Sequence, residues 1–134
     1  MIGDGVHLAP AIVLDVFETL GRESVVLVTD AMAAAGMPDG DYVLGPAAVT
    51  VADGMARLTE GGAIAGGTAH LIDVVRTTWR GGVDLVDAVY AASCQGAEVL
   101  GDDSIGALER PGSPGPPGAD LLRRQPHNPL CPRS

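Results

Sequence analysis

Lysine is absent from this chain of 134 residues, and its eight basic residues, all arginines, face 17 acids for a net charge of −9. A surface that binds nucleic-acid phosphates or anionic lipid headgroups needs the opposite sign, so neither nucleic acid nor membrane is expected as a partner. Aromatic residues are also scarce, at 3%. Any core must therefore be built from Ala, Val, Leu and Ile, whose small side chains each bury less area. The two cysteines, Cys94 in a helix-like stretch and Cys131 near the end, do not make a disulfide framework, and reduced thiols are expected. No apolar run approaches the roughly 20 residues of a membrane span. The start of the chain, with its Gly3-Asp4-Gly5, lacks the basic, apolar character of a leader, which points to a cytoplasmic protein.

The most telling segment present is Val25-Val26-Leu27-Val28-Thr29-Asp30, a run of β-formers that ends in a carboxylate. It predicts a strand over residues 24–29, covered on both faces as parallel strands of α/β proteins are, with Asp30 at the tip where such strands meet ligands. Before it, Pro10 suits a first helical position. Ile12, Val16 and Leu20 form one stripe with Val13 and Phe17 beside it, and Gly21 ends the helix. A His at position 7 and an Asp at position 30 thus close two strand-like segments joined by a helix. A right-handed crossover brings both to one edge of a sheet.

Beyond Asp30 the pattern changes. Met37-Pro38-Asp39-Gly40 reads as a turn, and Tyr42–Leu44, Ala48–Val51 and Met55–Leu58 read as short antiparallel strands, the last two joined by Ala52-Asp53-Gly54. Residues 68–80 carry Leu71, Val74, Val75 and Trp79 at helical spacing. Residues 84–94 carry Leu85, Val86, Ala88, Val89 and Ala92 likewise, with Gly81-Gly82 between the two helices and Asp84 as a cap. From Glu109 the sequence turns to Pro, Gly, Arg and Ser, which predicts no regular structure over 109–134.

Three motifs in order, Gly3-Asp4-Gly5-Val6-His7, Leu27-Val28-Thr29-Asp30-Ala31-Met32-Ala33-Ala34-Ala35-Gly36 and Ala63-Ile64-Ala65-Gly66-Gly67, carry a resemblance. Together they resemble the C-terminal part of the N-acetylglucosamine-6-phosphate deacetylases, members of the amidohydrolase superfamily, over residues 1–108. The resemblance implies an α/β chain that is the C-terminal fragment of a TIM-like (β/α)8 barrel, since 134 residues fall short of the about 250 of a whole one. The β excursion at 41–60 would then belong to a flanking β-sandwich. After Ser104-Ile105-Gly106-Ala107-Leu108 the family pattern is interrupted, and Arg123-Arg124-Gln125-Pro126-His127 stands in place of a closing apolar strand, as a shifted reading frame would leave it.

The implied reaction is metal-dependent deacetylation of N-acetylglucosamine 6-phosphate to glucosamine 6-phosphate and acetate, in amino-sugar catabolism. Asp30 matches the family acid that moves a proton from the attacking water to the departing amine. His7 matches a substrate ligand near the scissile amide. The loop Ile64, Ala65, Gly66 and Gly67 would contact substrate through its backbone, as a Gly-rich turn before a helix can. Gly67 stands where the family often has Ser, and His70 where it often has Thr. On residues alone, Asp30 and Asp4 are equally turn residues, His7 and His70 surface histidines and Cys94 a small buried hydrophobe.

A divalent metal, zinc by the resemblance, is implied, but the family's Glu and two His ligands fall upstream of the resembling segment, so this chain is expected to hold no metal ligand and to be inactive alone. The parent enzyme is expected to be a homo-oligomer with a phosphorylated amino-sugar substrate. Two other classes remain: another metal-dependent amidohydrolase, which would keep Asp30 and change the loops, and a noncatalytic interaction module, which would need neither His7 nor Asp30.

Overall fold

A computed structural model describes residues 1–101. The expected tail at 109–134, with His127 and Cys131, and the closing part of the 1–108 unit lie outside the described residues. The elements are α1 (Pro10–Leu20), a 3-10 turn (Arg22–Ser24), β1 (Gly40–Leu44), β2 (Ala47–Ala52), β3 (Met55–Leu58), α2 (Leu71–Arg80), α3 (Leu85–Ala91) and α4 (Cys94–Leu100). This is a small α/β arrangement.

Helix α1 begins at Pro10, whose missing N–H costs nothing in a first turn, and ends at Gly21, with φ 74°, whose N–H is bonded to the Phe17 carbonyl. Its buried residues are Val13 and Phe17, while Ile12 and Leu20 of the expected stripe are about half exposed. The helix lies with Val13 and Phe17 against Val25, Leu27, Val74, Val75, Val83, Ala88 and Ala91, which form the larger core. Full burial of such side chains contributes about 1.5–3 kcal/mol each for the larger ones. In α2, Val74, Val75 and Thr78 turn inward and Trp79 outward; in α3, Ala88, Tyr90 and Ala91 turn inward while Leu85, Val86 and Val89 are exposed. Arg22 ties the 3-10 turn to α3: its guanidinium donates to Asp87 at 3.0 Å and stands 4.9 Å over the Tyr90 ring.

Two expectations fail here. The segment 25–28 is not a strand covered on both faces. Val25 and Leu27 are buried, but Val28 is 44% exposed. Among the described residues its one bridge joins Val28 to Ile2, in parallel, the Leu27 N–H goes instead to the Ala91 carbonyl at the end of α3, and no ladder develops. The single helix expected over 84–94 is two. The Ser93 hydroxyl donates to the Val89 carbonyl at 2.6 Å, a back-bond that competes with the helix, and the chain bends there before α4.

The β excursion forms a three-stranded antiparallel sheet in the order β1-β2-β3, with Tyr42 opposite Val49 and Val51 opposite Ala56. Asp53 and Gly54 both have positive φ (51° and 70°), as a two-residue type I′ hairpin requires. The Asp39 carboxylate holds this turn by accepting the N–H groups of Asp53 at 2.6 Å and Gly54 at 3.1 Å. Alternation along β2 puts Val49 and Val51 on the face that packs with Ala56, Met32, Ala34 and Ala65 into a second, smaller core.

Candidate functional site

Parallel contacts set the site. Ile2 bridges Val28 and Ala31 bridges Gly67, both in parallel, so residues 1–3, 26–32 and 64–68 run side by side in one direction. Helix α1 connects the first two in the order expected of a βαβ unit, but each flanking segment makes isolated bridges in place of a strand ladder. The chain therefore leaves Ile2 toward His7 and Val28 toward Asp30 at the same end.

Asp30 has φ 52°, a left-handed conformation that Asp tolerates better than most residues. Local bonds hold it there. The Ala31 N–H donates to Thr29 Oγ1 at 3.3 Å, and the Gly67 N–H donates to the Asp30 carbonyl at 2.7 Å. The Met32 N–H returns to the Gly67 carbonyl at 3.0 Å, which closes a two-bond clasp between the Asp30 turn and the loop. Gly67 is buried and has no room for a side chain: a Cβ there would fall on the Thr29 carbonyl oxygen. The Asp30 side chain is exposed.

Asp30, Ala31, Met32, Leu44, Leu58, Ile64, Ala65 and Gly66 line a cleft of about 280 Å³. One acid thus meets a backbone loop and an apolar wall supplied by the ends of β1 and β3. Of the residues singled out from the sequence, Asp30, Ile64, Ala65 and Gly66 share this cleft. Gly67 stands behind it as the clasp, and His7 is not among its lining residues.

His7 belongs to a turn of its own. Asp4 Oδ1 accepts the N–H groups of Val6 and His7, both at 2.9 Å, and Asp4 Oδ2 lies 2.9 Å from His7 Nδ1. Gly5, at φ 82°, makes the turn possible. Burial pushes the Asp4 carboxyl up, but the His7 backbone and ring and the Val6 N–H outweigh it and hold the group below the usual carboxylate value. The pairing of Asp4 with the His7 ring was missed from the sequence. Its one signal is the spacing Asp-x-x-His, which a plain turn shares.

His70 sits before α2, where its N–H donates to Asp73 at 3.3 Å, and its ring crowds Gly36. Cys94 is buried, as expected of a small hydrophobe. Among the described residues there is no group of three His, Cys, Asp or Glu side chains placed to hold a metal ion, and no helix long and apolar enough to cross a membrane.

No family model matches the chain. It is similar to an N-acetylglucosamine-6-phosphate deacetylase of Vibrio furnissii, 40% identical over 111 residues, which cover 81% of this chain and 27% of that protein. An N-acetylgalactosamine-6-phosphate deacetylase of Escherichia coli O157:H7 is 38% identical over 113 residues, 84% of this chain and 29% of that one. Among solved structures, N-acetylglucosamine-6-phosphate deacetylase of Mycobacterium smegmatis, an aspartate-to-alanine variant in complex with N-acetyl-D-glucosamine-6-phosphate, superposes with a TM-score of 0.73 at 42% identity, over 79% of this chain and 29% of that one. The Thermotoga maritima enzyme of the same name gives 0.74 at 34% identity, over 81% and 30%. The chain spans less than a third of these proteins and 66% of a shorter relative from Escherichia coli K12.

Proposed function

Because this chain is homologous to a segment of the N-acetylglucosamine-6-phosphate deacetylases, we propose that it carries the proton-transfer acid and part of the sugar-binding wall of such an enzyme. The observation that supports this most is the cleft in which the Asp30 carboxylate meets the Ile64–Gly66 backbone at one end of three parallel segments. In our reading, segments 1–3, 26–32 and 64–68 with α1 and α2 are late parts of a (β/α)8 barrel, whose ligands gather at the ends of parallel strands. The sheet β1-β2-β3 belongs to a flanking β-sandwich, and the unit extends over residues 1–108 with 109–134 apart from it.

The reaction is hydrolysis of the acetamide of N-acetylglucosamine 6-phosphate. Water adds to the acyl carbon, the C–N bond breaks, and acetate and glucosamine 6-phosphate leave. Asp30 takes a proton from the attacking water and delivers it to the departing nitrogen, a base in one half of the reaction and an acid in the other. Exposure at the cleft lets the carboxylate reach both atoms. Backbone groups of Ile64, Ala65 and Gly66 face the sugar, with Gly67 holding the loop in place through its two bonds to the Asp30 turn, and His7 binds near the amide. A divalent cation, zinc in this reading, belongs to this chemistry, but the described residues do not fit one. Its ligands belong to other parts of such an enzyme, so the polypeptide alone is expected to be inactive. In this reading the parent enzyme is a homo-oligomer and cytoplasmic.

A chimera tests the reading. Residues 1–100 replace the matching segment of the Mycobacterium smegmatis deacetylase, which is 42% identical. The chimera is expected to deacetylate N-acetylglucosamine 6-phosphate, and Asp30→Asn within it to lower kcat by about 10²–10⁴-fold with little change in KM. An Asp30→Asn chimera as active as its parent would sink the assignment. Faster turnover of the galactosamine isomer would shift the substrate to that epimer, in line with the Escherichia coli relative.

A further inference from the structure

Both oxygens of Asp4 are consumed within its own turn, and the Asp4 side chain is only 5% exposed. It therefore has no reach toward a ligand. His7, three residues on, keeps 18% of its side chain exposed. An ionised carboxylate can only accept hydrogen bonds, so the 2.9 Å contact makes His7 Nδ1 the donor. One ring nitrogen is thereby engaged, and the ring plane is set by a residue that the turn itself holds rigid.

We propose that Asp4 is a positioning residue for the deacetylation site, fixing the His7 ring with its Nδ1–H on Asp4 so that Nε2 is the ring nitrogen offered to the amide of an amino-sugar substrate. This rests on the reading of His7 as a substrate ligand. The logic is that of a buried acid behind a catalytic imidazole, where the acid sets the tautomer and orientation and does not itself carry the proton. A backbone carbonyl would orient the ring as well. A carboxylate makes the stronger, charge-assisted bond to Nδ1–H, so that in the neutral ring Nε2 is held as the acceptor turned toward an N–H of the substrate amide. The turn geometry explains why the acid lies three residues before the histidine: Asp4 Oδ1 collects two backbone N–H groups and thereby aims Oδ2 at the ring.

Two variants separate orientation from folding. Asn in place of Asp4 keeps an oxygen for the Val6 and His7 N–H groups but presents an amide N–H to the ring. Ser keeps the turn acceptor and is too short to reach Nδ1. In the full 134-residue chain labelled with ¹⁵N-histidine, long-range ¹⁵N–¹H spectra of the neutral ring are expected to show His7 protonated at Nδ1, with Asp4→Asn reversing this to Nε2. A His7→Gln sample assigns the signals. The Nε2–H form in the unmodified chain, or the same form in both, overturns the proposal. In the active chimera, Asp4→Ser is expected to lower kcat/KM by about ten- to a hundredfold, and to have no further effect when His7 is already Ala. An equal loss in the His7→Ala background makes Asp4 a merely structural residue and also overturns it. Full activity of His7→Ala would instead overturn the underlying reading of His7, whatever tautomer the spectra show.

Discussion

Gly67→Ala is the sharpest test of how the cleft is built. The added methyl would fall on the Thr29 carbonyl oxygen and within 3.5 Å of the Asp30 carbonyl oxygen, both backbone atoms that no rotamer change can remove. Relief requires the loop to retreat from the Asp30 turn, and retreat stretches the two bonds of the clasp, Gly67 N–H to Asp30 and Met32 N–H to Gly67. Each is worth about 0.5–1.5 kcal/mol net, and overpacking a buried position typically costs about 1–3 kcal/mol, so the expected loss is about 2–6 kcal/mol. That is a large share of the about 5–15 kcal/mol that keeps a domain folded. Gly45→Ala is the control, because it has a positive φ of 57° but open space around its Cβ, and the left-handed conformation alone costs about 1–2 kcal/mol. Urea titrations followed by fluorescence of Trp79, the single tryptophan, compare the two. The reasoning is refuted if Gly67→Ala costs no more than Gly45→Ala.

Two further substitutions probe neighbouring parts. Asp39→Ala leaves the Asp53 and Gly54 N–H groups to solvent and should destabilise the chain by about 1–2 kcal/mol, read by denaturation, with faster amide exchange concentrated at residues 52–55. Asp30→Gly should relax the left-handed backbone, costing no stability or adding up to about 1 kcal/mol in the same titration, while abolishing turnover in the chimera; a clear loss of stability would show that the Asp30 side chain supports the fold.

What the sequence made legible was local. Pro10 and Gly21 bound α1 because each acts through its own φ and N–H, and the β2–β3 hairpin follows from Asp53-Gly54, a pair suited to two successive positive φ angles. At the break between α3 and α4 the Ser93 hydroxyl bonds back to the Val89 carbonyl, a contact that periodicity does not register. The burial of 25–28 depends on the neighbours available to it. An apolar run looks the same whether its second face is covered or, as at Val28, exposed. In the cleft, an apolar run ending in an acid drew attention to Asp30, and a glycine pair to the 64–67 loop. Leu44 and Leu58 join them only through strand pairing far along the chain, and Asp4 looked like any turn aspartate until its second oxygen was seen on the His7 ring.

The two turns share a design that bears on mechanism. At Asp30 the backbone is fixed by bonds to its neighbours, through Thr29 Oγ1 and Gly67, while its carboxylate is exposed at the cleft. At His7 the backbone and one ring nitrogen are fixed by Asp4, and a single ring nitrogen is left over. A proton carrier has to reach two atoms in succession, first the water and then the amine, so side-chain freedom on a rigid backbone serves it. An orienting group has to hold one atom in place as charge develops, so it gains from having its ring locked. The difference in restraint between the two residues matches the difference in role proposed for them. It also locates where each would fail: Asp30 by loss of its acid group, His7 by loss of the partner behind it.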